Sequence, residues 1–345
     1  NQSIADFIRY LDLVATSIAA DIVPLTGENR ILAYHGLKVI NEQPRIGIKT
    51  FTKALKKVKL TITDVVFQIA PRINAAGRIK HGNHAVALLT ETDYTSAANF
   101  AVDIDNFNAE RKALDKQITA EALEQIKELN EEERYTTVVY DKNWHKGVIG
   151  IVASRLTETY YRPTLVFTKS GDKLAASARS VKGFDVYEAL EQCAEYIEQF
   201  GGHKYAAGLT LLPEQFDAFK AKFEEVVSKT IDKPLLTPEI TVDAVLDFSQ
   251  ITPKFYRLLK QLGPFGPQNM QPVFLSENLQ DTGYGKCVGE DASHLRFTAK
   301  QGNYNGFVGI GFGLGKKLPI IANRNQFKAV YNIDENEWQG NVSLQ

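Results

Sequence analysis

Residues 94–130 constrain the fold more than any other stretch of this chain. Phe100, Ile104, Phe107, Leu114, Ile118, Ala122, Ile126 and Leu129 recur at spacings near 3.6, with Arg111 the one polar residue on that stripe. The spacing predicts one helix of roughly 35 residues, about 50 Å long. That exceeds an ordinary globular helix. Two shorter helices with a kink near Arg111 are the alternative. Glu131-Glu132-Glu133 reads as a solvated end. A helix of this length between two compact segments is expected to be a rigid connector that sets the width of a cleft.

The pattern differs on either side of it. Residues 11–20 form a small-residue apolar run leading into Asp21, and residues 29–41 carry a helical period. Thr63-Asp64 reads as a cap or turn before Pro71, and Asn74-Ala75-Ala76-Gly77 as a loop rich in small residues. From Tyr135 the chain alternates strand and helix. Strands are expected at 135–140, 164–168, 174–179 and 205–211, with helices at 147–161, 185–200 and from Pro213 onward. Asp185, with Glu188 three residues on, caps the second of these helices. Residues 232–234 form a short linker. Beyond it, strands are expected at 240–248, 273–276, 295–299, 306–312 and 327–333, interrupted by a helix at 253–262. Five short strands in about 105 residues suggest a small barrel, for which an OB-fold is the natural candidate.

Composition narrows the functional classes. A length of 345 residues suggests two or three domains. Forty Lys and Arg face forty-one Asp and Glu, a formal net charge of -1. This excludes a polycation that holds nucleic acid by bulk charge, but not a local basic groove. Two cysteines, Cys193 and Cys287, exclude a disulfide scaffold and a multi-cysteine zinc site, and suit a reducing compartment. No run of about 18 apolar residues is present, so no membrane span is expected, and no signal peptide is expected either. The chain opens with Asn1 and its one methionine is Met270, so it reads as a piece of something longer or a processed product.

Several residues could carry chemistry. Gly201-Gly202-His203 lies between an expected helix end and the strand from Tyr205. Glycines admit close approach, and a histidine there can donate to a phosphate or hold a metal-bound group. Read alone, the segment is equally a helix C-cap followed by an incidental histidine. Ala206-Ala207-Gly208 keeps the next strand's surface small. Ser177 and Arg179, two apart in a strand, face one side and make an oxyanion clamp; Ser180 points away. A surface arginine near a turn explains them as well. In Pro71–Arg78 the small residues free backbone N–H groups for an anion that Arg78 could reach, while Arg72 could be structural. His81 and His84 have helical metal spacing but no supporting carboxylates. His145 precedes a helix whose first N–H groups and dipole favour an anion. Asp21 ends an apolar run, where a buried carboxylate is costly without a metal or donor; a turn aspartate is the alternative.

Together these segments resemble the RecJ single-strand-specific DNA exonucleases of the DHH phosphoesterase superfamily. Residues 11–30 (LDLVATSIAADIVPLTGENR) look like the end of the DHH catalytic domain, and 71–78 match that family's Asn-Ala-Ala-Gly-Arg loop. Residues 144–155, 177–180 and 201–208 match its DHH-associated domain, with the Gly-Gly-His signature. Residues 262–274 (LGPFGPQNMQPVF) look like the entry to the RecJ OB domain. The implied fold is multidomain α/β. Residues 1–93 would be a remnant of the DHH catalytic domain and 94–133 the connector helix. Residues 134–231 would be the DHH-associated phosphate-binding domain, and 234–345 an OB-fold that binds single-stranded nucleic acid.

The resemblance implies a hydrolase of phosphodiesters that uses two Mn2+ or Mg2+ ions, working 5′ to 3′ on single-stranded DNA in repair and recombination. Asp21 matches a metal-binding aspartate. Arg78, Ser177 and Arg179 would hold phosphates, with Gly201, Gly202, Asn74 and His145 beside them, and His203 would contact the scissile or an adjacent phosphate. A monomer in the cytoplasm, away from membranes, with a single-strand-binding protein as partner, is what the resemblance suggests. The chain departs from the pattern in lacking an Asp-x-Asp at a strand end and an Asp-His-His triplet, both expected before Asn1. It is therefore expected to be inactive alone. In the OB region, ten Lys and Arg balance ten Asp and Glu, so binding there needs clustering. Phe307 and Phe312 are expected in its core and Tyr304 on its surface. A non-catalytic single-strand-binding module is the alternative from another class. A phosphodiesterase for short oligonucleotides or cyclic dinucleotides is the closer variant.

Overall fold

The computed structural model describes residues 7–55, 57, 59–338 and 340–345. They form two compact units. The first is built from the chain up to Ala20, from Lys38 to Leu60 and from Asp64 to Glu239; the second from Asp21 to Leu37, Thr61 to Thr63 and Ile240 to Gln345.

Helices Leu11–Ala20, Ile46–Leu55, Ala70–Ile79 and Asn83–Thr90 build the opening part of the first unit. Asp12, fully buried, accepts from two of the three side-chain nitrogens of Arg45, Nε and Nη2, at 2.9 and 2.8 Å and also from the Leu13 and Arg45 backbone. The Asn74–Gly77 segment is not a loop: it lies inside helix Ala70–Ile79, with Pro71 in the first turn. Ala75 and Ala76 are fully buried, so the small residues serve close helix packing rather than a turn. Asp64 makes no cap bond and instead pairs with Lys57 at 2.5 Å.

The long helix is one element, Tyr94–Glu128, with Asp93 as N-cap accepting from the Ser96 N–H at 2.7 Å. It is not a bare connector. It packs against helices Ile46–Leu55, Ala70–Ile79, Asn83–Thr90 and Ile149–Tyr160, and so forms the spine of the first unit. Its buried stripe is rotated from the expected one: Ala97, Ala101, Ile104, Asn108, Asp115, Ile118, Ala122 and Ile126 are inside, whereas Leu129 is exposed. Two polar residues, Asn108 and Asp115, therefore sit at core positions.

A five-stranded sheet follows, in the order β1-β2-β3-β5-β4. Its strands are β1 (Thr137–Tyr140), β2 (Thr164–Ser170), β3 (Lys173–Arg179), β4 (Gln199–His203) and β5 (Ala206–Leu211). β1 runs parallel to β2; the remaining pairs are antiparallel. One face packs on a core of Phe167, Leu209, Phe219 and Phe223, closed by helix Phe216–Thr230. Over the other face, Val139 and Val166 pack with helix Ile149–Tyr160 and with Ile118, Ala122 and Ile126 of the spine. The helix expected over 185–200 is only Val186–Glu191, capped by Asp185 as expected through the Tyr187 and Glu188 N–H groups. Beyond it a single 3-10 turn, Ala194–Tyr196, leads into β4, with Tyr196 and Ile197 still packed on the core.

The second unit contains a six-stranded sheet. Its strands are β6 (Ala244–Val245), β7 (Phe274–Asp281), β8 (Lys286–Val288), β9 (His294–Gln301), β10 (Tyr304–Gly311) and β11 (Gln326–Tyr331). The path runs β10-β9-β7-β11, with β6 on β7 and β8 on β9. Among the described residues no pairing closes this sheet into a barrel. A separate hairpin joins β12 (Glu335–Trp338) to β13 (Asn341–Leu344). The strand expected over 240–248 shrinks to two residues because Asp247 and Gln250 form a capping box on the turn after it. Residues 21–37 belong with this unit: Leu25 N–H donates to the Pro267 carbonyl at 2.8 Å, and Arg30 donates to the carbonyls of Gln261 and Gly263.

Candidate anion site

Strand register builds the site. Arg179, Ala206 and His203 are partners across β3, β5 and β4; Ser177, Gly208 and Gly201 form the next row on the same face. The intervening row, Ala178, Ala207 and Gly202, faces the opposite way, and its alanines lie in the core. Two strand spacings separate Arg179 from His203, about 10 Å. Between them the floor carries one methyl group and two glycines.

The reason for those glycines is not the backbone. Gly201 and Gly208 have no left-handed φ. A Cβ at Gly201 would meet nothing within 4 Å, and one at Gly208 only the Ala176 carbonyl oxygen at 3.7 Å. Glycine weakens a strand, so their bareness points to something that lies on the sheet. Gly202 differs: its φ is +153°, and a Cβ would come within 2.4 Å of the Ala206 carbonyl oxygen and 2.5 Å of the Ala207 Cα. Gly-Gly-His is thus strand, not a helix end, and its two glycines have separate causes.

Arg179 Nη1 donates to Ser177 Oγ at 3.0 Å and to the Ala178 carbonyl at 2.7 Å. Ser180 points away, donating to the Phe184 carbonyl. A Cβ at Gly150 would fall 3.0 Å from Ser177 Oγ and 3.1 Å from Arg179 Nη2, so this glycine lets helix Ile149–Tyr160 press its first turn onto the pair. Gly147 is equally tight, with a Cβ reaching 2.2 Å from the Arg78 carbonyl oxygen, and Arg78 Nη1 donates to the Gly147 carbonyl at 3.1 Å. Helix Ala70–Ile79 and strand β3 therefore meet at one helix end. Burial lowers the pKa of Arg179, and the charge of Arg78 lowers it further. Burial also lowers that of Arg78. Neither guanidinium has a carboxylate partner among the described residues.

Other expected residues take different places. His145 Nδ1 accepts from the Gly147 N–H at 3.1 Å, and its carbonyl accepts from Val148 and Ile149. Most of the helix's first N–H groups are thus already used, contrary to the expected open terminus. His203 is exposed, at the edge of the floor. Asn74 shares a helix face with Arg78 and donates to the Ala20 carbonyl at 3.3 Å. Asp21, which follows Ala20, is exposed rather than buried and belongs to the second unit, so the cost of burying its carboxylate does not arise. His84 packs edge-on to Phe107, His81 accepts from the Asn83 N–H, and Arg72 pairs with Asp105 at 2.6 Å. No group of three or more His, Cys, Asp or Glu among the described residues could hold a metal ion, so the side chains present do not make a metal site.

The sequence reading missed Gly150, Arg111, Asp115 and Arg155. Asp115, buried on the spine, binds Arg155 through both oxygens at 2.7 and 2.8 Å. The Gly147-x-x-Gly150 spacing was the available signal for the tight helix start.

In the second unit, Arg296 on β9 has Lys286 and Ile310 as register partners, so these share the outer face of the sheet. Phe312, expected in the core, is 75% exposed and packs edge-on to His294. Phe307 is turned inward against Phe248, and Tyr304 is on the surface, as expected. No described helix is long and apolar enough to cross a membrane.

Residues 132–229 match the DHHA1 domain and residues 242–345 the RecJ OB domain. The single-stranded-DNA-specific exonuclease RecJ of Bacillus subtilis (strain 168) is 34% identical over 340 residues, 95% of this chain and 42% of its own length. That of Escherichia coli (strain K12) is 34% identical over 360 residues, 100% of this chain and 61% of its own length. Crystal structures of Thermus thermophilus RecJ in complex with Mg2+ and with Mn2+ align with TM-scores of 0.83 and 0.84 at 28% and 29% identity. Each alignment covers 98% of this chain, and 51% and 48% of those chains. The chain thus spans about half the length of the relatives it matches. With its DHHA1 and RecJ OB domains, the chain is similar to RecJ exonucleases along nearly its whole length.

Proposed function

We propose that this chain grips single-stranded DNA by its phosphates for hydrolysis from the 5′ end by a metal-dependent exonuclease of repair and recombination. The observation that carries the reading is the bare floor of Gly201, Ala206 and Gly208 between the Ser177–Arg179 pair and His203. A strand surface with glycines that the backbone does not need, bordered by guanidinium groups without carboxylates, suits a flat anionic ligand. Arg78 and Arg179 hold phosphate oxygens, Ser177 adds a hydroxyl donor, and His203 donates from the far edge. Gly150 and Gly147 keep the two arginines against one helix end. The RecJ OB domain supplies a second hold through Arg296, Lys286 and the exposed ring of Phe312.

The metal-bound relatives point to Mg2+ or Mn2+, which would activate water and stabilise the leaving oxygen. The described residues offer no three-ligand set for such ions. The work assigned to them is therefore holding and orienting the strand. In this division, residues 134–231 take the phosphate end and residues 234–345 the trailing strand.

Binding of a labelled, 5′-phosphorylated single strand to the purified chain tests the reading. Saturable binding that Arg179→Gln weakens about tenfold is expected, from the loss of a charge-assisted bond. A strand bound equally by both proteins would overturn it. Incubation with Mn2+ is expected to leave the strand intact; cleavage abolished by Asp21→Ala would show a hydrolytic centre that the geometry does not provide.

A further inference from the structure

The long helix brings a third arginine to the corner where helices Ala70–Ile79 and Ile149–Tyr160 meet it. Arg111 is partly buried, with a side-chain exposure of 11%. Its Nη2 donates to Asn108 Oδ1 at 2.6 Å. The nearest carboxylate, Asp115, stands 3.8 Å from Nη1, too far for a hydrogen bond. Both Asp115 oxygens are already taken by Arg155. Arg155 lies five residues after Gly150 on the same helix, and Gly150 is the residue pressed against Ser177 and Arg179. Arg78 in turn has a single backbone acceptor, the Gly147 carbonyl. Among the described residues, Asp115 is thus the one carboxylate that pairs with any of these four guanidinium groups, and it pairs only with Arg155 and, at longer range, Arg111.

We propose that Arg111 is a phosphate-binding residue, pairing with Arg78 to hold a second, consecutive phosphate of the strand whose first phosphate lies on Ser177 and Arg179. This deepens the phosphate-gripping function proposed above and rests on it. Half-buried like charges repel unless an anion completes them. Burial first, and then the charges of Arg78 and Arg155, hold the Arg111 pKa down against the pull of Asp115. Geometry ties the four to one helix start: Arg78 donates to the Gly147 carbonyl, Gly150 touches Ser177 and Arg179, and Arg155 of the same helix holds Asp115, one turn from Arg111. A terminal phosphate on Ser177 and Arg179 leaves the Arg78–Arg111 side without an anion of its own; a diester chain supplies the next charge at that side. Asn108, which shares its helix with Arg111, is a positioning residue: its amide oxygen fixes one arm of the fork and leaves the others free.

Two ligands separate this from the broader reading: a 5′-phosphorylated dinucleotide and a mononucleotide 5′-phosphate. Arg111→Gln is expected to weaken the dinucleotide about tenfold and to leave the mononucleotide within about twofold. With a longer single strand, the same change lowers the slope of log affinity against log salt by about 0.7, the share of one phosphate. Arg179→Gln weakens both ligands. If Arg111→Gln weakens neither ligand, or both alike, while Arg179→Gln weakens both, the second-phosphate role falls and the phosphate grip stands. If neither substitution has an effect, the grip itself falls. Should Arg111→Gln lower the melting temperature enough to cloud binding, the wild-type guanidinium 15N–1H resonance of Arg111 carries the test. It is expected to shift with the dinucleotide and not with the mononucleotide, and the absence of a shift overturns the proposal.

Discussion

Arg179 and His203 flank Ala206 in one cross-strand row, and Ala206 is the register partner of both. Nothing larger than a methyl group rises from the sheet between them. The relation follows from pairing alone, and a slip of one residue would turn both side chains into the core.

The two glycines beside His203 should separate by experiment. Gly201→Val adds a β-branched side chain to a regular strand where the Cβ meets nothing, so stability is expected to stay within about 0.5 kcal/mol. Single-strand binding should be lost, because the added side chain occupies the floor. Gly202→Ala meets backbone and is expected to cost about 1–3 kcal/mol. Thermal melts read beside a binding titration check both; equal melting temperatures for the two variants would contradict the assignment.

Arg179→Met should trade binding for stability. Removing one desolvated charge from beside Arg78 relieves repulsion, and the apolar stem keeps its packing. The melting temperature is expected to hold or rise while strand affinity falls about tenfold. A large loss of stability would mean that the Ser177 bond matters more to the fold than to the ligand.

Asp12→Ala acts on the fold alone. It leaves Arg45 without the carboxylate that takes two of its nitrogens in the interior, a change that costs about 3–5 kcal/mol. Urea denaturation followed by circular dichroism should show the midpoint of the first unit falling, whereas the second unit, which contains neither residue, keeps its own.

Cys193 gives a pH dependence of known sign. Burial pushes its thiol from 9.0 up to about 12. Below pH 9 the thiol is neutral folded or unfolded, and stability is unaffected. Between about 9 and 12 the unfolded chain ionises and the folded one does not, so stability falls as pH rises through that window. Cys193→Ala should flatten this loss. Iodoacetamide at pH 8 should label Cys193 only after unfolding; rapid labelling of the native chain would show the thiol to be accessible.

Much of this protein is readable from local pattern. Periodicity located the spine helix, Asp185 announced its cap, and the two-residue spacing of Ser177 and Arg179 placed them on one face. Those features depend on neighbours within a few residues, where side-chain direction follows from the backbone period. Other readings failed where local preference met tertiary packing. Asn74 to Gly77 has turn composition but forms helix, because Ala75 and Ala76 are small enough to pack on the spine. Phe312 reads as core and is exposed, because the sheet ends one residue before it and the ring lies on His294.

The sequence by itself determined strands β1, β2, β3 and β5, the Asp185 cap and the arginines available to meet an anion. Only the tertiary structure decided that Gly201 and Gly208 form a floor, that Gly150 and Gly147 are places of contact, and that Asp115 is bound by Arg155, leaving Arg111 its charge. Each of these depends on atoms brought together from distant parts of the chain. Register and close approach are set by packing across elements, and no period within one element records them.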